Sequence, residues 1–517
     1  MNKKINKRKG FTLIELLAVI VVIAIILAIA IPAISSLIES STKNTFESDA
    51  KLIIKGMDHK KLEDPSFDET TITESNITDI IGIPTDNIDT VSVTLVDGVK
   101  TITIKGKDKW AGLYACGTFM NMQVVTSVDD CSDGGEVVLG PVNQPILATG
   151  MTPVKWVNDV ETSTTADDID WYDYANQKWA NAKTADGSYW VWIPRYAYSI
   201  TSGYQSSTAG TIEIKFLNDV TNNARVDGIS VATTPTYEGN SQTNYVLHPA
   251  FNFGGTQVTG IWIAKFEASN NGSGKVKVAP NVTSWRNVTV KTMYDNSRSM
   301  ETDTIYGWDN SGNGIDTHMM KNIEWGAVAY LAKSTYGIND EIWINPANNY
   351  TTGCAGNSVS SATTTGCLNA YNTVSGINAS TTRNITGIYD MSGGSWEYVM
   401  GNLDNLAASS GLTPSSIPNK YIDRYSSTTN YSYNDSYFGD AYFETSYNAY
   451  VKNTSGLTNG SWYGDYSYAP YSTSPWFVRG GLYNNGAGAG AFYFGRFTGE
   501  AYSYRGFRPA LLVASGL

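Results

Sequence analysis

The sequence predicts an α+β protein: a long N-terminal helix, a small β region, then a large irregular domain of short strands and turns. Three observations lead there. An apolar stretch from Phe11 to Ile31 passes into a helix-period pattern, and two alternating arms flank Asp97-Gly98. Beyond about residue 150 the chain is crowded with Tyr, Trp, Gly, Ser, Thr and Asn, the composition of a secreted, loop-rich, mostly β protein. At 517 residues the chain exceeds what one hydrophobic core ordinarily serves, so two or more domains are expected. The division read from the pattern is a leader over 1–10, the helix over 11–64, a small β region with its linker over 65–145, and the large domain over 146–517.

Positive charge clusters in the leader, at Lys3, Lys4, Lys7, Arg8 and Lys9, while the whole chain carries a formal net charge of −12. No basic stripe occurs elsewhere, which argues against nucleic acid as a partner. Phe11–Ile31 supplies about 20 residues of low polarity, enough to cross a bilayer core, and leader positives on the cytoplasmic side place the remainder outside. Thr12 can bond back to a helix carbonyl. Glu15 is different: a carboxylate in hydrocarbon costs about 2.5–3.5 kcal/mol even on lenient insertion scales, so it reads as functional and needs a partner. A signal peptide would carry a small-x-small cleavage site after its apolar core. Here the junction, Lys9-Gly10-Phe11, lies before it, and the apolar segment would stay on the mature chain.

The string Lys9-Gly-Phe-Thr-Leu-Ile-Glu-Leu-Leu17 resembles the prepilin motif of type IV pilins and type II secretion pseudopilins. That resemblance implies cleavage after Gly10 by a membrane prepilin peptidase and N-methylation of Phe11. It also implies that Glu15 pairs with the α-amine of a neighbouring pilin-like subunit, which answers the buried carboxylate. Past Pro32, which should kink the helix, Ile34, Ile38, Phe46, Ala50, Ile54 and Met57 recur at helical steps until Asp64-Pro65.

Val91–Val96, Asp97-Gly98 and Val99–Ile104 read as a β-hairpin with a strong turn dipeptide. This region is too small to stand alone without packing on the helix or a disulfide. Gly140-Pro-Val-Asn-Gln-Pro145 reads as a linker. The four cysteines form two sequence-local couples, Cys116 with Cys131 and Cys354 with Cys367. Four cysteines admit three pairings, and local pairing is the simplest expectation. The absence of a C-x-x-C spacing argues against a zinc ribbon or a thioredoxin-like redox centre.

In the large domain, Lys321–Lys333 is a helix candidate with Ile323, Ala327, Tyr330 and Leu331 on one face, and Ile261–Glu267 alternates like a half-buried strand. Further along stand the turn-rich Gly387–Glu397, Val478-Arg-Gly-Gly-Leu482 and Arg505-Gly-Phe-Arg-Pro509. In this order the strings resemble the formylglycine-generating-enzyme-like domain, a variant of the C-type lectin fold. The resemblance rests on Trp262 and Glu267, on Glu324-Trp325, on Tyr389, Asp390, Met391, Trp396 and Glu397, on Arg479-Gly480-Gly481, and on Gly506-Phe507-Arg508. Two departures bear on chemistry. The family's oxidases bind copper through a C-terminal cysteine pair, and no cysteine follows Cys367. Its iron-dependent sulfoxide synthases need a histidine cluster, and His59, His248 and His318 are far apart in sequence. Catalysis of the family's known kinds is therefore not expected.

Glu267, Asp390 and Glu397 could supply a carboxylate pair for glycoside hydrolysis, but buried acids bonded to loop amides are the preferred reading. Asp309–Asp316 superficially resembles a calcium loop, yet Met320 stands where an EF-hand needs Glu. Calcium elsewhere in a lectin-like fold stays open, and no cofactor is required. Two aromatic clusters are candidate binding surfaces: residues 420–476, with Tyr431 through Tyr468, and a second set comprising Tyr483, Asn484, Asn485, Phe492, Tyr493, Phe494, Arg496, Tyr502 and Tyr504. In retroelement-diversified C-type lectin proteins the ligand-facing residues lie near this second position. The expected protein is a surface-displayed pilin-like protein, a tip or minor subunit or a non-assembled membrane protein, whose lectin-like domain binds an extracellular glycan or protein in adhesion. The alternatives are a hydrolase of surface polysaccharide and a pseudopilin of a secretion machine.

Overall fold

The computed structural model describes residues 42–513 apart from 44, 62, 65, 97–98, 118–121, 129–130, 132–141, 205, 207, 218–219, 221–230, 309–313 and 428–459. Gly10, Phe11, Glu15, the apolar stretch, Ile34, Ile38 and the tyrosines from Tyr431 to Tyr450 lie outside the described residues. The chain divides into two compact units, Met1–Gly140 and Pro141–Leu517.

In the first unit, residues 45–61 are helical and bury Phe46, Ala50, Ile53, Ile54 and Met57, the stripe that the helical period predicts. The stripe closes on a four-stranded antiparallel sheet of Ile88–Val96, Val99–Gly106, Tyr114–Gly117 and Met122–Val125, paired in chain order. Val91 opposes Ile104 and Val93 opposes Ile102, and all four are buried beside the helix. Register runs to Val96 against Val99, leaving the two residues Asp97-Gly98, which are not described, as the loop. Phe46 of the helix stacks on Trp110 with ring centres 4.5 Å apart. Lys100, almost enclosed, bonds Glu69 at 2.8 Å and also meets Asp58.

The segment read as a linker belongs to the second unit from Pro141 onward. Asn143 is buried, its amide donates to the Thr259 carbonyl at 2.9 Å, and its own carbonyl accepts from Trp192 Nε1 at 3.0 Å. The second unit is built on a seven-stranded sheet ordered Ile315–Met319, Pro509–Val513, Gly260–Ala264, Tyr189–Pro194, Asn181–Lys183, Thr152–Val157 and Val160–Ser163. Neighbours pair antiparallel throughout, and Pro509–Val513, the last described strand, enters between the edge strand Ile315–Met319 and Gly260–Ala264. Gly260–Ala264 is buried at every residue, so the expectation of a half-buried strand is corrected: both faces are covered. The polar residues of the string, Lys265 and Glu267, are buried as well, each bonded inside the protein. Trp262 is core, with its Nε1 satisfied by the Ile146 carbonyl at 2.7 Å and its ring 5.3 Å from Trp192.

A second sheet centres on Trp396–Leu403, which pairs antiparallel with Trp476–Gly480 and parallel with Asp423–Tyr425 and Arg505–Phe507; Gly490–Phe497 forms an edge beyond Trp476–Gly480. The helix Asn322–Ala332 matches the candidate in position but not in character. All of its residues are buried, so the expected single apolar face is replaced by burial all round. Its first turn is satisfied by Glu324 Oε2, which accepts from the Lys321 amide at 2.8 Å.

Both local disulfides form. Cys116–Cys131 and Cys354–Cys367 have Cα separations of 5.9 and 5.4 Å and join positions 15 and 13 apart in sequence. Loops of this size are worth about 3 kcal/mol in the chain-entropy view. The paired change Cys354→Ser with Cys367→Ser should lower the urea-unfolding free energy of the second unit by about that amount. An unchanged midpoint would mean that this bond adds nothing to the loop that carries it.

Candidate functional site

The three acids considered for hydrolysis are each about 1% exposed and fully engaged. Glu267 accepts from the Ser395 amide at 2.8 Å and its hydroxyl at 2.7 Å. Asp390 accepts from the Gly353 amide at 2.9 and 3.0 Å and from Asn345 Nδ2 at 2.9 Å. Glu397 takes a two-point contact from Arg508, Nε at 3.0 Å and Nη2 at 2.6 Å. Burial pushes Glu267 well above the usual carboxylate range, and the charges of Glu397 and Asp390 push it further. Glu397 is also raised by burial, with Arg508 opposing. An acid enclosed among its own hydrogen-bond donors leaves a substrate no approach, and the arrangement holds loops together. The turn between these acids needs its glycines: Gly393 has φ +77°, and a Cβ there would stand 2.4 Å from the Asn345 carbonyl oxygen.

A second buried cluster was not foreseen. His318 lies between Asp316, 3.2 Å from Nδ1, and Glu324, 3.0 Å from Nε2. Asp316 also accepts from Arg298 at 3.0 Å, Lys420 at 2.9 Å and Tyr421 at 2.7 Å. The only sequence signal was the Asp-Thr-His alternation on one strand, which is silent about the helix carrying Glu324. Burial alone would lower the His318 pKa, but the two carboxylates prevail and hold it above the ordinary value. Glu324 is lowered: burial opposes this, but His318 and Lys321 outweigh it. Asp309–Asn313 of the calcium-like string lies outside the described residues, while Asp316 is committed to these partners. Among the described residues no group of His, Cys, Asp and Glu is arranged to hold a metal ion.

Among the described residues, Asn270, Thr283, Ser284, Trp285, Arg286, Asn287 and Ser503 line an open cleft of about 480 Å³. Its size is that of a small-ligand site. Two loops build it. In the first, the Trp285 amide donates to the Ala268 carbonyl at 2.7 Å and the Ser284 amide to the Tyr350 carbonyl at 3.0 Å. The second carries Tyr502, Ser503 and Tyr504. The loops are tied by the Asn287 amide on the Tyr502 carbonyl at 3.0 Å and by Arg286 Nη1 on the Ser503 carbonyl. Asn287 adopts φ 62°, a left-handed conformation that asparagine tolerates. Trp285 rests against buried Phe507, with ring centres 6.0 Å apart. The Arg286 guanidinium lies 3.7 Å over the Tyr350 ring, and Tyr350 meets Tyr483 edge-on at 5.2 Å.

The nine candidate ligand residues separate. Phe492, Tyr493 and Phe494 are buried on an edge strand whose rings face inward, so they belong to the core and not to a binding face. Arg496 is half-buried, with its guanidinium 4.3 Å over the Tyr471 ring. Tyr502 and Tyr504, 42% and 37% exposed, stand beside the cleft with ring centres 5.0 Å apart. Tyr483 joins them through Tyr350, next to exposed Asn484 and half-buried Asn485. Of the earlier aromatic cluster, Trp462 is fully buried. The sequence reading passed over Trp285, Arg286 and Tyr350. The available signal was a Trp-Arg pair inside a run of turn-type residues.

Residues 5–31 match the family model described as the prokaryotic N-terminal methylation motif. That motif points to a type IV pilin-like or pseudopilin surface protein, anchored in the membrane, with a prepilin peptidase and pilin-like subunits as partners. No curated protein matches the chain. Among the described residues no helix is long and apolar enough to cross a membrane, and the apolar part of the matched segment lies outside them.

Two outcomes follow from the buried charges. Glu397→Leu leaves Arg508 without its anion, and urea unfolding should show a loss of about 3–5 kcal/mol, with a smaller loss for Glu397→Gln. The raised pKa of His318 contributes stability that is complete below its ordinary value of 6.5 and is lost as pH rises through the folded value. The stability difference between wild type and His318→Gln should therefore be largest in mild acid and shrink above neutrality; a pH-independent difference would refute the link.

Proposed function

We propose that the chain is displayed outside the cell from its pilin-like N-terminus and that its second unit binds an extracellular ligand, a glycan or protein, in adhesion. The observation that carries this reading is the cleft between 283–287 and 502–504. It sets the half-buried Trp285 ring, with exposed Tyr502 and Tyr504 alongside, among short amide and hydroxyl side chains, which is the make-up of binding loops. A formylglycine-generating-enzyme-like, C-type lectin architecture is the proposed scaffold. What supports it is that the strings containing Trp325, Tyr389, Glu397, Arg479 and Arg508 meet in one core. Binding is favoured over turnover because Glu267, Asp390 and Glu397 serve internal contacts. A domain of this size would crowd a tightly packed filament, so a tip or minor subunit fits best. The methylation motif equally suits a pseudopilin, which remains the second reading.

Mass spectrometry of the membrane-extracted protein should find a chain beginning with N-methylated Phe11, and Gly10→Val should leave the leader attached. Tyr502→Ala with Tyr504→Ala should reduce adherence of cells displaying the full chain while shifting stability by no more than about 0.5 kcal/mol. Deletion that abolishes secretion but leaves adherence intact would decide for the pseudopilin.

A further inference from the structure

Arg286 differs from the ion-paired arginines of the second unit and, unlike them, lines the cleft. Arg298, Arg383, Arg505 and Arg508 each meet a carboxylate, at 3.0, 2.9, 3.1 and 2.6 Å. Arg286 meets none among the described residues. Its Nη1 is used by the Ser503 carbonyl, its Nε is buried with no partner, and its plane is held flat on Tyr350. Burial lowers its pKa below the ordinary guanidinium value, and the influence of Glu267 and Tyr350 partly restores it; it remains a cation at any physiological pH. A half-buried, oriented cation is thus held at the wall of the cleft with no carboxylate in ion-pair contact among the described residues.

Around it stand the groups that suit a sugar ring. Trp285 lines the cleft and exposed Tyr502 and Tyr504 flank it, with the Arg505 guanidinium 4.7 Å over the Tyr502 ring, while Asn270, Thr283, Asn287 and Ser503 supply short donors and acceptors. Guanidinium recognises carboxylate through paired charge-assisted hydrogen bonds. From this juxtaposition we infer that the cleft takes an acidic sugar, a glycan residue bearing a single carboxylate, which Arg286 receives while the rings stack on the sugar face. The net charge of −12 disfavours polyanions at long range, so the fitting ligand is a sparsely acidic glycan rather than a sulfated polymer or nucleic acid. At physiological salt that long-range field is screened within about 8 Å, and the short-range contact decides.

The inference rests on the binding reading above and refines it. The full-length protein in detergent micelles would be titrated with matched probes: sialyllactose against lactose, and glucuronate-terminated against glucose-terminated tetrasaccharides. The acidic member should bind about tenfold more tightly, the size of one charge-assisted hydrogen bond. Arg286→Gln should bring the ratio close to one, Arg286→Lys should retain part of it, and added salt should narrow it. The wild-type ratio decides the matter even where a variant fails to fold. Equal binding of acidic and neutral partners would overturn this inference and leave the cleft as a sugar site. Binding of neither, by a protein with an intact thermal transition, would overturn the cleft as a glycan site altogether.

Discussion

Arg508 is a guanidinium enclosed by protein, and the geometry of the second unit can be traced outward from how it is satisfied. Two of its nitrogens clasp Glu397 on the second sheet. Nη1 reaches the Ala264 carbonyl at the end of a central strand at 2.8 Å, and Nη2 reaches the Tyr389 carbonyl at 2.9 Å. Its own carbonyl accepts from the Met320 amide at 2.9 Å, next to the buried helix. One residue therefore ties together two sheets and a turn through its side chain, and the approach to the helix through its main chain. A planar donor fork can do this where a lysine could not. The desolvation of such a group is tolerated only when every donor is answered, so its neighbours have little latitude.

The same economy of irregular backbone recurs nearby. Lys265 is buried, its amine pushed well below the ordinary lysine value by desolvation, and it donates to Asn181, to the Ile385 carbonyl at 2.7 Å and to the Gly387 carbonyl at 2.9 Å. Asn345 joins the Thr351 carbonyl to Asp390. Loops without ladder partners still need their polar groups satisfied, and buried side chains meet that need here. A mostly irregular domain can then be as well determined as a regular one.

That determination bears on function. The cleft stands on loops, but the loops stand on core: Trp285 on Phe507, Arg286 on Tyr350, and the Trp396 amide on the Tyr504 carbonyl at 3.0 Å. Phe507 immediately precedes Arg508, so the buried network lies directly beneath the candidate surface. Binding groups held in this way lose little freedom when a ligand arrives.

Local pattern determined what depends on neighbours in sequence. The apolar run with its lone Glu15 and preceding glycine, the stripe Phe46–Met57, the hairpin around Asp97-Gly98 and the two short-loop disulfides are all legible without a fold, because each is set by spacing along one chain segment. The short strings around Trp262, Asp390 and Arg508 stand out in the sequence, but not which residues they meet. Tertiary structure alone decided that Gly260–Ala264 and Asn322–Ala332 are buried on all sides, that Phe492–Phe494 face inward, and that His318 sits between Asp316 and Glu324. It also decided that Arg286, more than 200 residues before Ser503, shares a cleft with it. Periodicity reports that a residue is apolar or polar, but which side of an element is covered depends on segments hundreds of residues away, and only their packing settles it.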